Sequence, residues 1–172
     1  ICGGQNRFET EDALIEMNFL GLHNILALRG DSAKGENHFL PREDGYAHAA
    51  ELVGQICDMN HGKYIDGEIN NCHATDFCIG VAGYPEKHFE SPDAQTDIRF
   101  LKAKVDAGAH YIVTQMFFDN NIYYNFMYKA LKKGIDVPVV AGIMPVTNAS
   151  QVKRIISLSG NLVPSKFTNI VD

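Results

Sequence analysis

Short apolar runs alternate with long amphipathic stretches along almost all of this 172-residue chain. "NILAL" (24–28), "FCIGVAG" (77–83), "YIVTQMFF" (111–118) and "VPVVAGI" (137–143) read as strands, apolar on both faces. "ETEDALIEMNFLG" (9–21), "GYAHAAELVGQICDM" (45–59), "DAQTDIRFLKAKVDAGA" (93–109), "NIYYNFMYKALKKG" (121–134) and "NASQVKRIISLSG" (148–160) read as helices. In the second of these Ala49, Leu52, Val53 and Ile56 recur at helical spacing, and in the third Ile98, Leu101 and Val105 form one stripe. Two lysines and a glycine close 121–134, as a helix C-terminus favours, and Asn148 predicts an N-cap. Ile1 and Cys2 read as the end of a strand begun earlier.

Strands buried on both faces and joined by helices imply a parallel sheet covered by helices. That leaves a (β/α)8 barrel or a doubly wound open sheet. An open nucleotide-binding sheet usually carries a glycine-rich phosphate turn, and neither GxGxxG nor GxxxxGK[ST] occurs. Instead the strands run out into Arg29 and Asp31, Tyr84 and Glu86, Gln115 and Asp119, and Met144 and Thr147. In a barrel all such ends face one mouth, where active sites lie, so "ILALRGD" (25–31) reads as a buried strand whose end belongs to a site. The expectation is an α/β chain, one partial TIM-barrel domain over residues 1–172. It would hold roughly the third to seventh strands of a longer enzyme.

Composition narrows the classes. With 45% apolar residues, 21% charged residues and a net charge of -6, the chain reads as a soluble globular protein without a basic nucleic-acid footprint. No apolar run approaches the ~20 residues of a membrane span. Cys2, Cys57, Cys72 and Cys78 are scattered without a CxxC pair, which favours reduced thiols in the cytoplasm. His61, Cys72, His73 and Cys78 match no zinc spacing, so no metal site is expected. The polar connection 60–76 reads as a surface insertion away from the mouth, with Cys72 and His73 solvated.

Four segments then align with one family. "ALRGD" (27–31), "VAGYPEKH" (81–88), "LKAKVDAGAHYIVTQMFFD" (101–119) and "VVAGIMPVTN" (139–148) resemble, in order and spacing, the motifs of the methylenetetrahydrofolate reductases. The resemblance implies a flavin-containing (β/α)8 barrel that uses FAD. Such an enzyme passes a hydride from NADH or NADPH to the flavin and on to 5,10-methylenetetrahydrofolate, giving 5-methyltetrahydrofolate. It implies a cytoplasmic place in one-carbon metabolism and methionine supply, a folate as small-molecule partner, no nucleic acid and no membrane. A homo-oligomer is left open.

The resemblance also implies residue roles. Asp31 matches the catalytic aspartate beside flavin and folate, where a carboxylate can accept from pterin N–H groups and disfavour an anionic reduced flavin. Arg29 matches a flavin-binding arginine, and Gly30 lets the backbone approach the ring. Without the family, an Arg–Asp pair capping a strand end would serve as well. Tyr46 and Ala47, taken to open the second helix, match a FAD-contact pair, although Tyr46 alone would read as surface packing. Tyr84 and His88 match FAD contacts, His88 as a donor to phosphate or ribose oxygens, where a lone loop histidine is usually only solvated. Asp97 and Lys104 match contacts to a ribose hydroxyl and the diphosphate, and the plain alternative is an exposed helix face. Gln115 matches the folate-binding glutamine, its amide offering donor and acceptor to the pterin. Phe117 and Phe118 read as core. The family varies at the positions of Phe100 and Ala103, so no contact is assigned there.

The glutamate that protonates the folate in this family has no counterpart in the chain, so the isolated segment is expected to be inactive. That keeps a second reading in view, a flavin- or folate-binding barrel module without turnover. A different flavin-dependent barrel dehydrogenase is a third.

Overall fold

The computed structural model describes residues 2–32, 38–65, 67, 72–145, 148 and 151. The chain runs α1 (Arg7–Phe19), β1 (Asn24–Ala27), α2 (Ala49–Asn60), β2 (Cys78–Gly83), α3 (Ala94–Asp106), β3 (Tyr111–Thr114), α4 (Asn120–Lys132) and β4 (Val139–Val140). The strands form one four-stranded parallel sheet in the order β1-β2-β3-β4. In it β1 pairs with β2 in the register Asn24↔Cys78, Ile25↔Ile79, Leu26↔Gly80 and Ala27↔Val81. Strand, crossover helix and neighbouring parallel strand therefore follow each other as the apolar runs imply. The expected helix 148–160 lies outside the described residues, save for Asn148 and Gln151. There Gln151 N–H donates to Asn148 Oδ1 at 3.0 Å, the N-cap bond expected of Asn148.

Local sequence explains where the helices start and stop. Asn6 and Glu9 form a capping box at α1: Glu9 N–H donates to Asn6 Oδ1 at 2.8 Å and Asn6 N–H to Glu9 Oε2 at 2.9 Å. Asp119 caps α4 by accepting from Asn121 N–H at 2.8 Å. The four described helices close the same way, with a left-handed glycine one residue past the cap: Gly21, Gly62, Gly108 and Gly134. In α4, Ile135 N–H reaches back to the Ala130 carbonyl and Gly134 N–H to that of Leu131, which satisfies carbonyls the helix leaves open. Ile135 and Ala130 are both buried beside that closure.

Asp93 caps α3 through Thr96, whose N–H donates at 2.8 Å and whose hydroxyl donates at 3.0 Å. These hydrogen bonds to the charged form hold the Asp93 carboxyl below its usual 3.8. A lowered folded-state pKa means the cap's contribution is complete above the usual value and is lost as pH falls through the lowered one. Urea unfolding of wild type and Asp93→Ala should therefore show a stability gap near neutral pH that closes as the pH falls below about 3.8. A gap independent of pH would show that the cap does not depend on the charge.

Two compact units make up the chain, Ile1–Ala82 with Ala103–Ile112, and Gly83–Lys102 with Val113–Asp172. The first has its core in Leu52, Val53, Ile56 and Met59 of α2 with Phe77 just ahead of β2 and Ile79, Val81 and Ile112 of the strands, all at most 3% exposed. In the second the buried apolar residues include Ile98, Leu101, Phe126 and Ala130.

Four sequence expectations shift. The first strand is not apolar-buried on both faces, since Leu26 is 41% exposed on β1, an edge strand of the described sheet. The third strand stops at Thr114 rather than running to 118, and the fourth is reduced to Val139–Val140. Pro138 has no N–H for a ladder, which accounts for the late start of β4. The 60–76 connection is more than a solvated insertion. Asn60 brackets its return, donating to the Phe77 carbonyl at 2.9 Å and accepting from Phe77 N–H at 2.8 Å and Thr75 Oγ1 at 2.7 Å. Cys72 is half-buried and His73 exposed.

Candidate functional site

In the first unit β1 ends and the chain continues through Leu28 and Arg29, whose carbonyls accept from Cys2 N–H at 3.0 Å and Gly3 N–H at 3.1 Å. These two bonds tie Cys2 and Gly3 to the end of β1. Arg29 is half-buried, with its guanidinium carbon 4.9 Å from the centre of the Phe39 ring, a cation–π arrangement the sequence does not announce. Gly30 has φ +93, a conformation that a side chain would strain, and Asp31 lies exposed beyond it.

Tyr46 and Ala47 do not open α2, which begins at Ala49 behind the N-cap His48. Glu51 sets that boundary: its Oε2 accepts from Ala47 N–H and His48 N–H, both at 2.9 Å, and so draws the two residues across the helix start. Tyr46 lines a groove of about 390 Å3 with Glu11, Glu51, Gln55 and Tyr64, and the guanidinium carbon of Arg7 lies 5.7 Å from its ring centre. Burial pushes its phenol pKa up, so the hydroxyl stays protonated. Lys104, at the far end of α3, donates from Nζ to the Ala82 carbonyl at 2.6 Å, placing a cation at the end of β2.

In the second unit the chain leaves β2 through a turn, with Lys87 N–H donating to the Tyr84 carbonyl at 3.1 Å. His88 packs edge-on to Tyr84, with ring centres 4.7 Å apart, and stacks on Phe89 at 4.6 Å. Its Nδ1 accepts from Glu90 N–H at 3.2 Å, which leaves the proton of the neutral ring on Nε2. Asp97 is buried rather than on an exposed helix face. Ser91 Oγ, itself buried, donates to Asp97 Oδ1 at 2.7 Å. Gln115 follows β3 directly, holds the ladder by donating to the Gly83 carbonyl at 2.8 Å, and turns its side chain to accept from Met116 N–H at 3.0 Å. Phe117 stacks on Tyr123 with ring centres 5.0 Å apart.

The structure thus places Arg29, Gly30, Asp31, Tyr46, Ala47 and Lys104 in one unit, and Tyr84, His88, Asp97 and Gln115 in the other. Arg29 to Asp31, Tyr84 to His88, and Gln115 each follow the C-terminal end of a strand, where parallel sheets bind ligands. The residues of the first unit offer cations and a carboxylate, and those of the second an imidazole, a carboxylate and an amide. Sequence reading missed Lys87, Ser91 and Phe39. Ser91 could have been suspected from "SPDAQTD" (91–97), a serine just ahead of a helix-opening aspartate.

Comparison with known proteins agrees with the motifs. The family model for methylenetetrahydrofolate reductase matches residues 1–172. Methylenetetrahydrofolate reductase 2 of Saccharomyces cerevisiae is 37% identical over 164 residues, covering 94% of this chain and 25% of the yeast protein. Methylenetetrahydrofolate reductase (NADH) 1 of Arabidopsis thaliana is 37% identical over 167 residues, covering 92% and 26%. The chain therefore spans about a quarter of the length of these relatives. Among solved structures, an uncharacterized protein from Clostridium thermocellum that binds two copies of 5-methyl-5,6,7,8-tetrahydrofolic acid superposes with a TM-score of 0.51 at 14% identity. That likeness, over 99% of this chain and 50% of the other, is one of fold. The family match over the full length settles membership: the chain belongs to the methylenetetrahydrofolate reductase family.

Proposed function

We propose that this chain is part of the catalytic barrel of a cytoplasmic flavoenzyme that reduces 5,10-methylenetetrahydrofolate to 5-methyltetrahydrofolate at the expense of NADH or NADPH. On this reading the whole domain is a (β/α)8 barrel and residues 1–172 supply its third to seventh strands. The observation that carries it is the family match over the full length, joined to polar residues at successive strand ends. FAD fits the residues present. Arg29 and Lys104 provide cationic donors for a diphosphate, His88 carries its proton on Nε2, and Gly30 turns the backbone without a side chain.

The chemistry FAD supplies when bound is a two-electron relay between nicotinamide and folate. The chain's own residues bind and orient. By the family resemblance Arg29, Lys104 and His88 would each bind the anionic arm, Tyr84, Tyr46 and Ala47 would be further FAD contacts, and Asp97 would accept from a ribose hydroxyl. Asp31 would accept from the pterin N–H groups and would place a negative charge beside the flavin ring. Gln115 pairs with the pterin edge.

Asp31→Asn separates these roles. In the natural polypeptide that carries this segment, stopped-flow absorbance times flavin reduction by the nicotinamide and flavin reoxidation by the folate separately. A lost charge-assisted hydrogen bond of about 1.5–3 kcal/mol should slow the folate half-reaction about ten- to hundredfold and leave the nicotinamide half-reaction near wild type. Equal slowing of both would remove Asp31 from the folate site. A wild-type protein that binds folate and flavin without turnover would favour the binding-module reading instead.

A further inference from the structure

Lys87 holds a backbone conformation that its residue type disfavours. Its φ is +85, in the left-handed region where glycine is unstrained and a side chain with a Cβ is not. Within the second unit its side chain offsets that strain. Nζ donates to the Ser91 carbonyl at 2.8 Å and to the His88 carbonyl at 3.3 Å. The same His88 carbonyl accepts from Ser91 N–H at 3.0 Å, and Ser91 Oγ is anchored to the buried Asp97 carboxylate at 2.7 Å. One ammonium thus closes a loop whose two ends are fixed, at Tyr84 by the turn bond and at Ser91 by Asp97. Between them lies His88, with Tyr84 edge-on, Phe89 stacked and Nδ1 engaged by Glu90 N–H.

Strain kept at one residue and held by its own charged hydrogen bonds marks a conformation that the surrounding structure specifies. Glycine at position 87 would relieve the strain and remove the ammonium, so the backbone alone gives no reason for lysine. The reason lies in what the ammonium organises, the path of residues 88 to 91 and with it the His88 ring. We propose that Lys87 is a positioning residue of the cofactor site: its ammonium closes the 84–91 loop and so fixes His88 as an Nε2–H donor toward the phosphate-bearing arm of the cofactor. The inference rests on the reading above for the cofactor, and on the loop's own geometry for the clamp.

Two substitutions in the natural polypeptide separate clamp from backbone. Lys87→Gly removes strain and ammonium together, and Lys87→Met keeps the strain and much of the stem. Three quantities are measured in each: the melting temperature, the dissociation constant of the apoprotein for FAD, and the 15N shifts of the His88 ring in apoprotein. Wild type should show a pyrrole-like Nε2 and a pyridine-like Nδ1. Lys87→Gly should melt at or above wild type yet bind FAD about tenfold more weakly, with His88 shifts moved toward the average of two tautomers. Lys87→Met should show the same shifts and weaker FAD binding at a lower melting temperature. Unchanged His88 shifts in Lys87→Gly would overturn the clamp, whatever happens to FAD. His88→Ala tests the site reading separately. If it weakens FAD binding while Lys87→Gly does not, the site stands and the clamp falls. If His88→Ala leaves FAD binding unchanged, the cofactor role of His88 falls, and with it the proposed direction of the clamp.

Discussion

Gly80→Ala should lower the melting temperature of the protein by several degrees without touching any residue assigned to ligand binding. A Cβ built at Gly80 falls on the Tyr111 ring, 2.5 Å from Cε2 and 2.7 Å from the hydroxyl. The ring has little room to give. Gly80 lies inside β2, paired with Leu26 of β1, and its neighbours Ile79 and Val81 are fully buried. Tyr111 opens β3, so its backbone is held as well. Overpacking of this kind costs about 1–3 kcal/mol. For a chain of this size that corresponds to a fall of about 2–12 °C, at roughly 2–4 °C per kcal/mol. A double-mutant cycle assigns the cause. Gly80→Ala in a Tyr111→Val background should cost much less than in wild type, because the added methyl then takes space the ring has left. If the cost were equal in both backgrounds, the damage would come from the strand backbone and not from the ring. The clash belongs to the scaffold that presents the strand ends, so FAD binding measured below the melting transition should stay within about twofold of wild type, a change of roughly 0.4 kcal/mol.

This packing could not be read from the sequence. "FCIGVAG" marks a buried strand, and a glycine inside it signals that something approaches closely, but nothing local identifies Tyr111 thirty-one residues later. What was legible is what local chemistry decides. Helix C-terminal ends were readable because closing glycines such as Gly108 and Gly134 are written in the chain, whereas the caps Asp93 and Asp119 went unread, Asp119 being taken as a strand-end residue. The four strands were readable because β-branched and other apolar residues run together between those helices. Strand lengths were not, because a strand ends where its ladder partner ends. Gln115 still donates to Gly83, yet β3 stops before it. Tyr46 and Ala47 were misplaced for a similar reason. Glu51, inside the helix, takes the N–H groups of Ala47 and His48, and a side chain reaching back is invisible to spacing rules.

The site divides along the same line. Residue types at strand ends, and the family they resemble, named Arg29, Asp31, Tyr84, His88 and Gln115. Their supporting contacts stayed hidden. Phe39 under Arg29, Ser91 against Asp97 and the left-handed Lys87 all depend on how a loop returns on itself. A lysine carries no sequence signal for positive φ, which is read only from the fold.

The supporting contact of Gln115 sharpens the expected effect of changing it. Its Oε1 already accepts from Met116 N–H, so the amide's NH2 is the half most available to a ligand. Gln115→Glu keeps an acceptor for Met116 and replaces both donors with negative charge. The fold should hardly notice: Gln115 is exposed, its backbone bond to Gly83 is untouched, and the melting temperature should move by no more than about 1–2 °C, the equivalent of about 0.5 kcal/mol. A pterin bound there would lose its donor partner and leave an acceptor unpaired, at a cost of about 1–3 kcal/mol. Folate affinity should therefore fall roughly five- to hundredfold, while FAD content stays near wild type because Gln115 has no assigned contact to the cofactor's anionic arm. Titration of the purified natural polypeptide with folate, with flavin absorbance recorded on the same samples, measures both. Gln115→Asn, which keeps the amide but withdraws it by one methylene, should fall between wild type and the glutamate variant. If both variants bound folate like wild type, Gln115 would be a strand-end residue that only caps Met116. If FAD were lost in parallel with folate, the glutamine would belong to the flavin's surroundings and the pterin would have to be recognised elsewhere.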